Sequence, residues 1–176
     1  MTTTEKLNQT IRDIPDFPKP GIIFKDITPV LADPKLVSEL VDWFVDKAKE
    51  DKIDVIVGVE SRGFLFGMLI ADRMGIPFVP VRKEGKLPHK TVKYAYELEY
   101  GNATMEIHAD ALKPGQRVMI HDDLLATGGT AEAAAVLVEK LGAKACNFTF
   151  LIELSFLEGR KKLNSYNESV YSIVSF

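Results

Sequence analysis

The stretch from Val118 to Thr130, VMIHDDLLATGGT, decides how this chain is read. Arg117 to His121 reads as a strand that ends in two adjacent carboxylates, Asp122 and Asp123. A turn follows, with Ala126, Thr127, Gly128, Gly129 and Thr130, and then a helix from Thr130 to Leu141 closed by Gly142. In a parallel sheet, ligands gather outside the carboxyl ends of the strands. A helix N-terminus there offers unpaired N–H groups and partial positive charge, which suit a phosphate dianion. Glycine lets the backbone approach that phosphate without a clashing side chain. Two acids beside such a cradle would repel the phosphate unless they hold hydroxyls or a hydrated cation. A sugar phosphate with a vicinal diol meets both demands. A glycine turn alone is weak evidence, because any strand–turn–helix can contain one. The combination of apolar strand, paired acids and Thr-Gly-Gly-Thr carries the argument.

Around this segment, strand and helix patterns alternate. Ile53 to Val59, Phe78 to Val81 and Ala145 to Leu154 read as further strands, and Phe64 to Met74 as a buried helix. The alternation predicts an α/β fold with a central, mostly parallel sheet flanked by helices. Upstream, Leu7, Ile11 and Ile14 suggest a short opening helix that ends before Pro15. Asp33-Pro34 has the form of a helix start, and Leu36 to Ala48 follow at helical spacing. Trp43 in that helix reads as packing or interface. The stretch Arg82 to His108 breaks the rhythm as a long excursion, with Gly101-Asn102 as a hairpin turn. The tail, Ser155 to Phe176, is expected to hold a short helix and a last strand.

The bulk properties narrow the class. A chain of 176 residues suits a single domain spanning 1–176. Its net charge of -3 argues against a dedicated nucleic-acid binder. No apolar run approaches a membrane span, so no membrane partner is expected, and the N-terminal stretch has no signal-peptide pattern. A cytoplasmic location is the expectation. Cys146 is the only cysteine, which excludes an internal disulfide and a Cys-rich zinc site. It reads as a small buried residue.

Asp122 to Thr130 resembles the phosphoribosyl pyrophosphate (PRPP) signature of the type I phosphoribosyltransferases, in the extended form typical of the adenine-specific members. Further blocks are similar to the same family: FPKPGIIFKDITPVL at Phe17 to Leu31, ESRGFLFG at Glu60 to Gly67, RKEGKLP at Arg82 to Pro88, YELEYG at Tyr96 to Gly101 and EIHADALKPGQRV at Glu106 to Val118. The likeness covers the chain from about Ile11 to Leu163. It implies a hood segment at about 1–32, a mobile lid at about 82–108, and transfer of a 5-phosphoribosyl group from PRPP to adenine, giving AMP and pyrophosphate. The alternatives are a transferase for hypoxanthine, guanine or xanthine, or a non-catalytic regulator that senses PRPP.

The resemblance also implies roles. Asp122 and Asp123 hold the ribose, and the segment Ala126 to Thr130 holds its 5-phosphate. Ser61, Arg62, Arg82 and Lys86 bind the pyrophosphate, while Lys83, Lys90 and Lys93 stay undecided. Glu99 is the acid placed near the base, with Glu97 two residues away as its rival. Ile23 and Lys25 offer backbone contacts to adenine, Phe24 stacks on it and Leu157 covers it. The cofactor is Mg²⁺, held by substrate and water rather than by a protein ligand cluster. A homodimer is the expected assembly. His121 departs from the family's usual apolar residue and reads either as a core histidine or as a perturber of the two acids. His108 reads as structural, and His89 stays open between exposed filler and a role in the lid.

Overall fold

The computed structural model describes residues 1–97, 101–167 and 169–176, in two compact units, Met1–Trp43 and Phe44–Phe176. In the first unit, helix α1 (Thr3–Thr10) opens with a capping box: Thr2 Oγ1 accepts from the Glu5 amide at 3.2 Å, and the Glu5 carboxylate accepts from the Thr2 amide at 2.7 Å. Strands β1 (Arg12–Pro15) and β2 (Ile23–Asp26) then pair antiparallel, with Ile14 opposite Phe24. The opening helix is therefore shorter than its apolar spacing suggested. Ile11 caps it, and Ile14 belongs to a strand. A short α2 (Thr28–Leu31) precedes α3 (Pro34–Glu50), whose start is as expected. Asp33 Oδ1 accepts from the amides of Lys35 and Leu36 at 3.0 and 3.1 Å. The unit boundary falls inside α3.

The second unit is built on a seven-stranded sheet. In chain order its elements are β3 (Val55–Val59), α4 (Gly63–Met74), β4 (Phe78–Lys83), β5 (Thr91–Glu97), β6 (Asn102–His108), β7 (Arg117–Leu125), α5 (Gly129–Lys140), β8 (Lys144–Glu153), a 3-10 turn at Ser155–Leu157, α6 (Gly159–Leu163) and β9 (Val170–Ser175). The strand order is β5-β6-β4-β3-β7-β8-β9. The five strands from β4 to β9 are parallel, and the β5–β6 hairpin adds on antiparallel at one edge. The predicted mostly parallel sheet is thus present. Strand β3 is buried at every position and β8 at all but its first, which is why both read as continuous apolar runs.

One face of the sheet packs Val57, Ile120 and Phe148 against the alanines and Leu137 of α5. On the other, His121 lies edge-on to Phe44 of α3 and tilted against Phe66 of α4. Helix α4 is less buried than its composition suggested: Leu65, Met68 and Leu69 are exposed. A register shift between β7 and β8 skips Cys146, which is buried.

Most of the stretch expected as a lid is sheet. Residues 91–97 and 102–108 form the hairpin, and β6 pairs with β4 at Arg82↔Glu106 and Lys83↔Met105. Irregular backbone among its described residues is confined to 84–90 and the hairpin turn at Gly101.

Candidate active site

Strands β3 and β7 are neighbours, but the chain leaves β3 toward β4 and leaves β7 toward β8, in opposite directions along the sheet. Such a reversal opens a crevice at the carboxyl ends of the two strands. Strand β7 also outruns β3. Pairing with β3 stops at His121↔Gly58, whereas pairing with β8 continues through Asp122↔Phe150 to Leu125↔Glu153. The two acids therefore lie within the strand, not after its end, and one edge of the backbone there faces the crevice.

A cavity of about 500 Å³ occupies this place, lined in part by Ser61, Arg62, Lys83, Lys86, Asp122 and Asp123. A smaller one, about 70 Å³, lies at the start of α5 and is lined by Asp122 and by Ala126 through Ala131. Asp122 borders both spaces, and Asp123 only the larger. Gly128 is the N-cap of α5, with φ +84° and no side-chain cap. A glycine is needed there twice over. The positive φ disfavours other residues, and a Cβ would stand 2.8 Å from the Gly159 carbonyl. The Thr130 hydroxyl is 3.1 Å from the Tyr96 hydroxyl, which ties the hairpin to this turn.

The electrostatics separate the acids. Burial and the neighbouring charge of Asp123 push the Asp122 carboxyl well above its ordinary range. Burial also raises Asp123, and the Arg62 guanidinium, 2.8 Å away, opposes that rise. A site that resists charging in this way suits a hydroxyl or cation that rewards the ionised form. His121 is not part of it. Its Nδ1 meets the Thr149 hydroxyl at 3.0 Å on the core side, and burial lowers its pKa to about 3. It is a neutral core histidine. His89 and His108 stand edge to face at 5.9 Å, and neither lines either cavity.

Arg82 and Lys83 point to opposite sides of β4, as strand residues must. Glu60 accepts from the Arg82 guanidinium at 3.0 Å and from the Lys83 amide at 2.9 Å. Burial would raise the Glu60 pKa, but these donors hold it below the usual carboxylate range. Arg82 is thus paired with Glu60 and is not among the residues lining the cavity, whereas Lys83, which the sequence left undecided, lines it beside Lys86. Tyr96 and Met105 also line it and were not singled out. The alternation of Tyr94 and Tyr96 along β5 was the available signal. Glu99 lies outside the described residues, and Glu97 ends β5 opposite Asn102.

In the first unit, Ile23 is exposed and Phe24 is half-buried, its ring edge-on to Phe17 at 5.2 Å. The Lys25 ammonium pairs with Asp13 at 2.7 Å, so its side chain is turned to β1. Ile14, Phe17, Phe24 and Asp26 border a cavity of about 200 Å³. Leu157, in the second unit, is partly exposed on the 3-10 turn. Among the described residues no group of three or more His, Cys, Asp or Glu side chains is placed to hold a metal ion.

A crevice at the sheet reversal, an uncapped glycine helix start and paired acids define a phosphosugar-binding enzyme class. The phosphoribosyl transferase domain family matches residues 26–173, and the chain belongs to it. Within that family, the adenine phosphoribosyltransferase of Desulfitobacterium hafniense is 57% identical over 166 residues, 94% of this chain and 95% of the relative. The crystal structure of the Thermoanaerobacter pseudethanolicus adenine phosphoribosyltransferase is 53% identical, with a TM-score of 0.94 over 98% of this chain and 99% of that one. The Saccharomyces cerevisiae enzyme, solved with an imino-altritol bisphosphate and adenine, is 44% identical, with a TM-score of 0.92 over 98% of each chain.

Proposed function

We propose that this chain transfers the 5-phosphoribosyl group of PRPP to adenine, giving AMP and pyrophosphate. The observation that carries the reading is Asp122 bordering both the turn at the start of α5 and the larger cavity that Ser61, Arg62, Lys83 and Lys86 line. One substrate with a phosphate at one end, a diol in the middle and a diphosphate at the other matches this order of groups. The adenine relatives and the bound ligands of the yeast enzyme supply the choice of base.

In this reading the segment Ala126 to Thr130, at the uncapped start of α5, holds the 5-phosphate, and Asp122 and Asp123 accept from the ribose hydroxyls. Bond breaking at C1 leaves positive charge on the ring and negative charge on the diphosphate. Arg62, Lys83 and Lys86 stabilise the second, and the two carboxylates steady the first. Arg82 supports the cation group through Glu60. A Mg²⁺ ion fits these residues: two adjacent acids suit its water shell, and no closed protein ligand set is needed. When bound, it would supply positive charge against the substrate's phosphates and the leaving diphosphate. On the N-terminal hairpin, the Phe24 ring offers a stacking face, and the backbone of Ile23 and Lys25 offers contacts to a purine edge. Leu157 gives an apolar surface for the base. As N9 bonds to C1 in place of the diphosphate oxygen the purine ring gives up a proton, and Glu99 is the carboxylate assigned to take it at N7, where general acid–base help is worth about 10²–10⁴-fold. Glu99→Gln should lose that factor and Glu97→Gln should not; equal activities refute the assignment.

A homodimer and a cytoplasmic location belong to the same proposal, supported by family likeness. Leu65, Met68 and Leu69, exposed on one face of α4, give the dimer a candidate surface. Met68→Glu should shift the protein to monomer in sedimentation. The function is tested by offering PRPP, Mg²⁺ and a panel of adenine, hypoxanthine, guanine and xanthine, and identifying the nucleotide made. AMP alone is the expected product. Nucleotides from the oxopurines but not adenine would refute the assignment.

A further inference from the structure

We infer that Glu106 is a positioning residue for this reaction, a buried carboxylate on β6 that fixes the backbone at Lys86 and so sets that lysine against the diphosphate. The inference rests on the function proposed above. Between β4 and β5 the chain leaves regular structure over residues 84–90. Lys86 lines the large cavity from within this segment. The backbone of this segment has a few partners of its own: the Glu84 amide donates to the Thr104 carbonyl at 3.0 Å, the Lys86 amide to the Lys83 carbonyl at 3.3 Å, and Arg82 Nη1 to the Lys86 carbonyl at 3.4 Å. These last two contacts are long, and a turn held by them gains from a shorter, charged constraint.

Glu106 supplies one. It sits in the middle of β6, opposite Arg82 on one neighbouring strand and Lys93 on the other, and is 2% exposed. Oε1 accepts from the amides of Lys86 and Leu87 at 3.0 and 2.9 Å, and Oε2 accepts from the Thr91 hydroxyl at 3.3 Å. Burial alone would raise its pKa, but these donors together with the Lys93 charge keep it below the ordinary carboxylate range. The group is therefore an ionised carboxylate spent on two consecutive amides of a surface turn. Burying a charge is costly unless it is fully bonded, and an apolar residue would fill the space more cheaply. What the carboxylate adds is a fixed backbone course. Just before that segment, Glu60 holds the end of β4 through the Lys83 amide at 2.9 Å. Both cavity-lining lysines thus have their amide held by a glutamate.

The test measures binding of inorganic pyrophosphate with Mg²⁺ by calorimetry, and KM for PRPP against KM for adenine, in Glu106→Gln, Lys86→Ala and the double variant. Glu106→Gln should weaken pyrophosphate binding on the order of 10- to 100-fold, the range for losing charge-assisted hydrogen bonds. KM for PRPP should rise with it while KM for adenine holds. If Glu106 acts through Lys86, the double variant binds no more weakly than Lys86→Ala alone. Losses that multiply, or equal rises in both KM values, overturn the inference. Should Glu106→Gln fail to fold, Thr91→Val removes only one donor and should give a smaller loss, again absent in the Lys86→Ala background. A wild type that binds pyrophosphate but makes no AMP would sink the proposed function instead.

Discussion

Gly159→Ala should cripple the enzyme from outside its ligand contacts. Gly159 begins α6 and lies against the turn that carries Gly128. A Cβ there would stand 2.3 Å from the Ala126 carbonyl oxygen, 2.9 Å from Leu125 Cδ1 and 3.0 Å from the Gly128 amide nitrogen. Two of those atoms are backbone of the turn proposed to hold the 5-phosphate. The α6 side is the stiffer, because the Arg160 guanidinium is held by the Glu153 carboxylate, the Ser172 hydroxyl and the Val170 carbonyl. To restore ordinary contact the turn must yield by roughly 1 Å, and a misplacement of that size costs on the order of 10²-fold in rate. Forced packing should cost about 1–3 kcal/mol of stability. In a chain of this size that lowers the melting temperature by roughly 2–12 °C, leaving a folded protein to assay. The measurement is kcat/KM for PRPP from AMP formation, beside a thermal melt. A folded variant within about threefold of wild type, against the hundredfold expected from displacement, would refute the reasoning.

Asp122→Asn should replace the charged acceptor proposed for a ribose hydroxyl by a neutral amide and lower kcat/KM by about 10- to 100-fold. The same change should raise the melting temperature at neutral pH. Between the ordinary carboxyl pKa and the raised value in the fold, the native state keeps a proton that the unfolded chain has lost, so stability falls as pH rises through that window. A melt that is lower at pH 7 and unchanged in its pH slope would count against the buried-acid account. For His121 the sign is opposite: unfolded chains take up a proton below 6.5 and the native imidazole does not until about 3, so stability falls as pH falls. The urea-derived stability gap between wild type and His121→Leu should move by about 2 kcal/mol in the variant's favour from pH 7 to pH 5, and a constant gap would refute it. Chelating Mg²⁺ should stop AMP formation yet leave the melting temperature of the ligand-free protein unmoved; a lower melt would point to a structural metal.

Much of the fold was legible in the sequence because its strongest signals are local. The β-branched runs of β3 and β8, the Asp33 cap and the turn from Thr127 to Thr130 each declare themselves within a few residues. The misreadings come from long-range pairing. Ile11 and Ile14 have helical spacing, but Ile14 is drawn into a strand by Phe24, ten residues on. Acids are poor strand formers, so β7 was expected to stop at His121; pairing with β8 carries it to Leu125. The excursion after Arg82 looked like loop because its partner strand is its own other half. Within the candidate site, period-2 geometry separates Arg82 from Lys83, but only the placement of Glu60 decides which of the two side chains is paired. Glu106 sat in a run recognised by likeness alone, and nothing in its neighbours announces that its carboxylate gathers amides twenty residues upstream.

The overrun of β7 past the end of β3 makes the crevice lopsided. One wall is woven: Asp122 to Leu125 remain laddered to β8, which β9 backs in turn. The opposite wall is draped, made of the bend after β3 and the turn after β4, each moored by a few side chains. Substitutions in the draped wall can retune the grip on the leaving group without disturbing the woven one, so variants selected for altered product release should accumulate among Glu60, Lys83, Lys86 and Glu106 and spare the β7–β8 seam.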